Sequence, residues 1–180
     1  MEISEAANLI RFEEISGNRS QTWADLGCGS GTFTKALASL LPAKSIIHAV
    51  DSDRQSLKII PVFYGNAEVK KHHSDFYSFD LPGNLDGILM GNSLHYVKNK
   101  NNFIKIASKS LAPSGCFLIV EYDTNNSNAW IPFPINFISL KILFREAGFQ
   151  SIEKINERPS VFRRENIYSA LIRQYELYHG

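Results

Sequence analysis

From residue 22 to residue 123 the chain alternates between unbroken apolar runs and stretches whose apolar residues return every three or four positions. Runs of the first kind read as strands and of the second as helices. Residues 3–10 put Ile3, Ala6, Ala7 and Ile10 on one helical face. "QTWADL" (21–26) predicts a buried strand ending at a group of glycines. Over 32–41, Phe33, Ala36, Leu37, Leu40 and Leu41 follow the i, i+3, i+4, i+7, i+8 template, and Pro42 stops that helix. "SIIHAV" (45–50) is the second strand, after which Ser52 or Asp53 is placed to cap a further helix. A short strand around 69–73 and "NLDGILMG" (84–91) come next.

Residues 101–111 carry Phe103, Ile106, Ala107 and Leu111 on one helical face, "APSG" is a turn, and "CFLIVEYD" (116–123) is a strand. A helix over 136–147 then leads to Gly148 and to two late strands, in "FQSIEKIN" and "YSALIRQY". Apolar strands separated by helices predict an α/β fold, a parallel sheet covered on both faces. The last two strands, joined without a long helix, predict an antiparallel hairpin at one edge. The expectation is a doubly wound, mostly parallel sheet of seven strands in one domain, 1–180, with 1–20 an N-terminal helical segment.

Composition adds limits. A chain of 180 residues buries a core without disulfides or metals. Nineteen Lys plus Arg against eighteen Asp plus Glu leave a formal charge of +1, which gives no footprint for duplex nucleic acid. Cys28 and Cys116 form no CxxC pair and read as free thiols of a reducing compartment, so the expected location is cytoplasmic. The acidic opening "MEISEAANLIRFEEIS" suits neither a signal peptide nor a membrane span. "KKHH" (70–73) and Arg163–Arg164 read as solvated charges, and no metal-ligand spacing occurs.

"ADLGCGSG" carries the chemistry. Gly27 and Gly29 fit the first two positions of a dinucleotide fingerprint, but its third position falls on Thr32 and the third glycine is Gly31. No Lys followed by Ser or Thr makes it a phosphate loop. A carboxylate at Asp25 repels a pyrophosphate and favours an ammonium. Asp51, twenty residues after Gly31, ends the second strand where a carboxylate accepts hydrogen bonds from ribose hydroxyls. That site alone suits NAD equally well, so an oxidoreductase stays open on these residues.

"ADLGCGSGTFT", "HAVDSD", "HSDFYSFDLP", "LDGILMGNSLHYV" and "LAPSGCFLIVEYD", in this order and spacing, resemble class I S-adenosylmethionine-dependent methyltransferases. The resemblance runs from about residue 20 to the C-terminus. It is nearest to small bacterial methyltransferase-domain proteins with an "NxWxPFP"-like segment. It implies a Rossmann-like sheet and S-adenosylmethionine as cofactor, released as S-adenosylhomocysteine. By the resemblance, Asp25, Gly27, Gly29 and Gly31 line the methionine part, Asp51 holds the ribose, and Ser52 lies beside the adenine. Asp75 bonds the adenine amine, Phe76 covers its ring, and Asn92 approaches the sulfonium end. A module that binds the cofactor without turnover is the other reading it leaves open.

The acceptor is less defined. His95 follows the fourth strand, near where the methyl is expected, and is the candidate general base, with Tyr96 beside it. Glu121, Tyr122 and Asp123 end the fifth strand and are candidates to face the acceptor. Trp130, Pro132, Phe133 and Pro134 form a stiff loop which, with Phe12 and Ile15, is a candidate lid. "GNSLHY" replaces the [DNS]PP[YFW] motif of base amino-methylation, no Pro-Cys setting exists, and the acidic cluster of metal-dependent catechol enzymes is absent. A small molecule is the expected acceptor.

Overall fold

The computed structural model describes residues 1–160 and 165–175. Arg163 and Arg164 lie outside the described residues. The chain order is α1 (Ile3–Ile10), β1 (Thr22–Leu26), α2 (Thr32–Leu40), β2 (Ile46–Asp51), α3 (Arg54–Ile59), β3 (Phe63–Tyr64), β4 (Ala67–His73) and β5 (Leu85–Gly91). It continues with α4 (Lys100–Ala107), β6 (Leu111–Tyr122), α5 (Phe137–Glu146), β7 (Ser151–Pro159) and β8 (Asn166–Arg173).

One sheet runs in the order β3-β4-β2-β1-β5-β6-β8-β7. The strands β4, β2, β1, β5 and β6 are parallel to one another, while β8 is antiparallel to both β6 and β7. The expected architecture and its C-terminal hairpin are present, with eight strands in place of seven. The added strand, β3, pairs antiparallel with β4 through only two residues, too short to leave a pattern in the sequence.

Alternation along the strands divides the core into two layers. Trp23 and Ile47, with Leu89, Leu118 and Val120, pack under α1 and α2, where Ala6, Ile10, Leu37 and Leu40 meet them. Ala24, Val50, Ile88, Phe117 and Ile119 face the other way, toward Phe103 and Ile104 of α4 and Leu140 and Phe144 of α5. On α4 the buried face is Phe103, Ile104 and Ala107, whereas Ile106 is exposed. The sequence-based face was turned because the helix stops at Ala107 and Leu111 already belongs to β6. "APSG" lies within β6 as an irregularity, with the pairing jumping from Leu85–Leu111 to Gly87–Cys116.

Strand order reverses between β1 and β5, so their carboxyl ends open a crevice where such sheets hold their ligands. Asp53, not Ser52, caps α3, its carboxylate accepting from Gln55 N and Ser56 Oγ.

Candidate cofactor cleft

The turn after β1 forms one wall of the crevice. Gly27, Gly29 and Gly31 all take positive φ, 74°, 51° and 82°, a conformation that costs an L side chain energy and glycine little. The amides of Gly27 and Cys28 donate to Val50 O at 2.9 and 3.1 Å, which ties the turn to the end of β2. Asp51 completes the tie: Oδ2 accepts from Gly29 N at 2.7 Å and Oδ1 from Asp53 N at 2.8 Å. A carboxylate oxygen has a second lone pair, so Asp51 still has acceptors for a ligand. This tethering of the glycine turn was not visible in the sequence.

The crevice has two halves, about 420 and 370 Å³, which share Gly27, Asp51, Asn92 and Tyr96. Ser52, Asp75, Phe76 and Tyr77 line the first. Gly29, Ser30, Thr32 and Phe33 line the second, with Met1 alongside. Phe76 is held by a stacked Tyr77 at 5.0 Å and an edge-on Phe103 at 5.8 Å. Asp75 is exposed, and its Oδ1 accepts from Tyr77 N at 2.9 Å. Asn92 has φ 56°, a left-handed position that asparagine tolerates better than most residues, and its amide donates to Val120 O at 2.8 Å. Ser93 lies against Gly27, its hydroxyl donating to Leu26 O at 2.6 Å.

Two buried acceptors in this region have no donor among the described residues: Asp25 Oδ1 and Asn92 Oδ1. Asp25 lies beneath the glycine turn rather than on the wall of either half, and Thr34 Oγ1 donates to its other oxygen at 2.6 Å. Burial raises the Asp25 carboxyl to about 7, opposed by the Thr34 bond and assisted by the nearby charge of Asp51. A carboxyl in this state gains from an arriving cation. The Cys28 thiol is pushed up by burial, as is that of Cys116, to about 12, so neither is set up as a nucleophile.

The residues expected around the acceptor are not gathered into one cavity. Tyr96 lines both halves of the crevice and is half exposed. His95 lines neither. It is buried beside Tyr96, ring centroids 4.4 Å apart, and is bonded to the buried Glu121. Glu121 Oε1 accepts from His95 N at 3.0 Å and Oε2 bonds Nδ1 at 2.7 Å. Tyr122 packs against the layer beneath α1. Asp123 accepts from Phe137 N at the start of α5 and pairs with Lys154 at 3.3 Å. Trp130 stands exposed on a tight turn, whose Asn128 Oδ1 accepts from Trp130 N and Ile131 N.

Phe133 N donates to His95 O at 3.0 Å, hanging that turn from the loop after β5. Phe12 and Ile15 are not part of it. Phe12 lies under the Arg173 guanidinium, at the opposite end of the sheet, and Ile15 is buried beside Trp23. The N-terminal segment packs α1 onto α2 and β7, and its first residue, Met1, lines the second half of the crevice. "KKHH" is the end of β4, and there His72 meets His48 of β2, Nε2 to Nδ1 at 3.0 Å. Among the described residues no group of three or more His, Cys, Asp or Glu is placed to hold a metal ion.

A parallel sheet with a glycine turn and a carboxylate-lined crevice at its point of reversal defines an α/β protein that binds a nucleoside cofactor. A family model described as "Methyltransferase domain" matches residues 24–117. That is more than half of the chain, and the chain belongs to this family. No curated protein matches the sequence.

Solved structures share the fold. One is the 1,6-didemethyltoxoflavin-N1-methyltransferase of Burkholderia thailandensis with bound 1,6-didemethyltoxoflavin and S-adenosylhomocysteine. It has TM-score 0.75 and 17% identity over 97% of this chain and 78% of that one. A SAM-dependent methyltransferase of Leishmania major has TM-score 0.70 and 19% identity over 94% and 70%. The magnesium protoporphyrin IX methyltransferase of Synechocystis with bound SAM has TM-score 0.66 and 15% identity over 93% and 76%. At these identities the likeness is one of fold.

S-adenosylmethionine is the cofactor on which this membership and the cleft agree. It carries no phosphate, and its ammonium is a cationic donor.

Proposed function

We propose that this chain transfers a methyl group from S-adenosylmethionine to a small-molecule acceptor. The observation that carries the reading is the pair of buried, donor-free oxygens, Asp25 Oδ1 and Asn92 Oδ1, beside a glycine turn held open by Asp51. Asp25, Gly27, Gly29 and Gly31 would hold the methionine end with Asn92. Asp51 would take the ribose hydroxyls, and Ser52, Asp75 and Phe76 the adenine. When bound, the cofactor supplies a methyl carbon activated by sulfonium, and attack on it returns an electron pair to sulfur. The protein orients that attack, and such orientation contributes up to roughly 7–11 kcal/mol in favourable cases.

The burial of His95 supports a positioning role: its bonds to Glu121 fix the loop that presents Tyr96. A nicotinamide dinucleotide fits less well, since its pyrophosphate would lie on the glycine turn above the carboxyl of Asp25. We read the chain as one cytoplasmic domain, consistent with two free buried thiols.

Calorimetric titration with S-adenosylhomocysteine and with NAD tests the cofactor. Tight binding of the first alone is expected, and preference for NAD would remove the reading. Methyl transfer from labelled S-adenosylmethionine separates an enzyme from a silent binding module.

A further inference from the structure

The helices α4 and α5 lie side by side on one layer of the core, with Phe103, Ile104 and Ala107 of the first and Leu140 and Phe144 of the second turned toward the sheet. Their outward faces carry cations almost without acids. From Val97 to Gly115 lysine stands at positions 98, 100, 105 and 109 and no acidic residue occurs, and α5 adds Lys141 and Arg145 against Glu146 alone. The whole chain has a formal charge of only +1, so this face concentrates positive charge locally. Lys100 is committed within the molecule, donating to Val97 O at 2.8 Å and Phe133 O at 2.7 Å. Lys98, Lys105, Lys109 and Arg145 are exposed, and their charged groups make no hydrogen bond or ion pair among the described residues.

Apolar side chains stand among these cations. Ile106 is 57% exposed, and Ile138 and Ile142, one turn apart on α5, are 70% and 55% exposed. Arg145 completes the i, i+4, i+7 spacing with them, so the three share a stripe on the side away from Leu140 and Phe144. A β-branched residue favours a helix less than lysine or leucine does, so these isoleucines do little for the helices that expose them. At the crevice end, the bond from Lys100 to Phe133 O joins α4 to the turn that carries Trp130, itself 74% exposed.

Isoleucines set among unpaired lysines suit a partner that offers anionic headgroups over an apolar interior. Nucleic acid phosphates would use the lysines and gain nothing from the isoleucines, and a second copy of the same face would bring like charges together. No described helix is long and apolar enough to cross a membrane, so the contact is with the surface. We propose that the outer face of α4 and α5, with Trp130 at its edge, docks onto an anionic lipid surface. The proposal does not depend on the methyl-transfer reading.

Sedimentation with vesicles tests it, using phosphatidylcholine alone and phosphatidylcholine with an equal part of phosphatidylglycerol. Binding to the mixed vesicles alone is expected, weakening as salt rises from about 0.1 M to about 0.5 M because the cations are exposed. Lys105→Ala with Lys109→Ala should lower the vesicle partition about thirtyfold, from about fivefold per cation at an anionic surface. Ile138→Ser with Ile142→Ser should lower it at least roughly tenfold and leave its dependence on salt unchanged. In the parent protein the emission of Trp130 should move to shorter wavelength on the mixed vesicles, since the only other tryptophan, Trp23, is buried.

Equal binding to both kinds of vesicle, binding to neither, or an unshifted emission in the bound protein overturns the proposal. Mixed-vesicle binding that both variants retain overturns it as well, because the contact then lies on another face. Binding of single-stranded RNA in place of the vesicles, or a dimer in solution that Ile138→Ser with Ile142→Ser dissolves, gives the face to that partner instead.

Discussion

Glu121, at the end of β6, holds His95, on the loop after β5, by two atoms of one carboxylate: Oε1 to the backbone N–H and Oε2 to Nδ1. Both side chains are buried, 1% and 3% exposed. Removing one partner leaves the other's polar groups buried and unmatched, which costs far more than the pair is worth against solvent.

Glu121→Ala is therefore expected to destabilise the fold by about 3–5 kcal/mol in urea unfolding at pH 7. Glu121→Gln keeps one acceptor for the His95 amide and should cost roughly 1–3 kcal/mol. Equal losses in the two variants would show that the double grip is not what holds the loop. His95→Ala removes the ring beneath Tyr96 and should behave like Glu121→Ala.

Asp25 sets a pH dependence of the opposite sense to most carboxylates. Its folded pKa is raised from 3.8 to about 7, chiefly by burial, so between those values the folded chain binds the proton that the unfolded chain has released. The stability it contributes is complete below pH 4 and is lost as pH rises through 7, by on the order of 4 kcal/mol. Asp25→Asn keeps an acceptor for the Thr34 hydroxyl and cannot ionise. Relative to the parent, it should gain stability as pH rises from about 4 to about 7 and level off above that, as read by chemical denaturation. A difference independent of pH would mean that Asp25 is already ionised in the fold. The ammonium of the cofactor favours the ionised form, so binding near pH 6 should release a proton, visible as a buffer-dependent enthalpy.

His48 and His72 set a slope of the other sign. Burial, and for His48 the adjacent His72 and Lys70, lower their pKa values below the usual histidine value, with Lys70 also acting on His72 and Glu68 opposing the shift at His48. The unfolded chain then binds protons more readily, and the stability they contribute falls as pH drops below about 6.5. A His48→Gln, His72→Gln protein should lose that acid slope. Retention of the full slope would place its origin elsewhere.

How far the sequence foretold this molecule depends on how far apart the interacting residues lie in the chain. The α1 helix, the glycine turn and the C-terminal hairpin are written in local periodicity and in residues whose backbone preferences are strong. The Asp53 cap needed only the choice between neighbouring residues. By contrast, the His95–Glu121 grip and the His48–His72 contact join neighbouring strands, β5 with β6 and β2 with β4, and no single strand's pattern records its partner's register. Asp51 was legible as a carboxylate at a strand end, yet its hold on Gly29 appears only when the turn folds back over β2. Phe12 and Ile15 misled for the same reason: apolar residues near a terminus do not say which end of the sheet they will cover.

Asp51 tethers Gly29 and is proposed to accept from the ribose as well, two jobs that one substitution confounds. Asp51→Ala should weaken S-adenosylhomocysteine binding by roughly 1–3 kcal/mol, about a five- to 150-fold rise in Kd. Part of that loss comes from the released turn, so the ribose contact must be isolated by a ligand change. In the parent protein, the 2′-deoxy analogue of S-adenosylhomocysteine should bind more weakly than the parent ligand by a similar factor, because Asp51 loses its partner. In Asp51→Ala the two ligands should bind nearly alike, which makes the coupling between residue and hydroxyl the measured quantity. If the variant still discriminates between them as strongly as the parent, the ribose is held elsewhere and Asp51 serves the glycine turn alone.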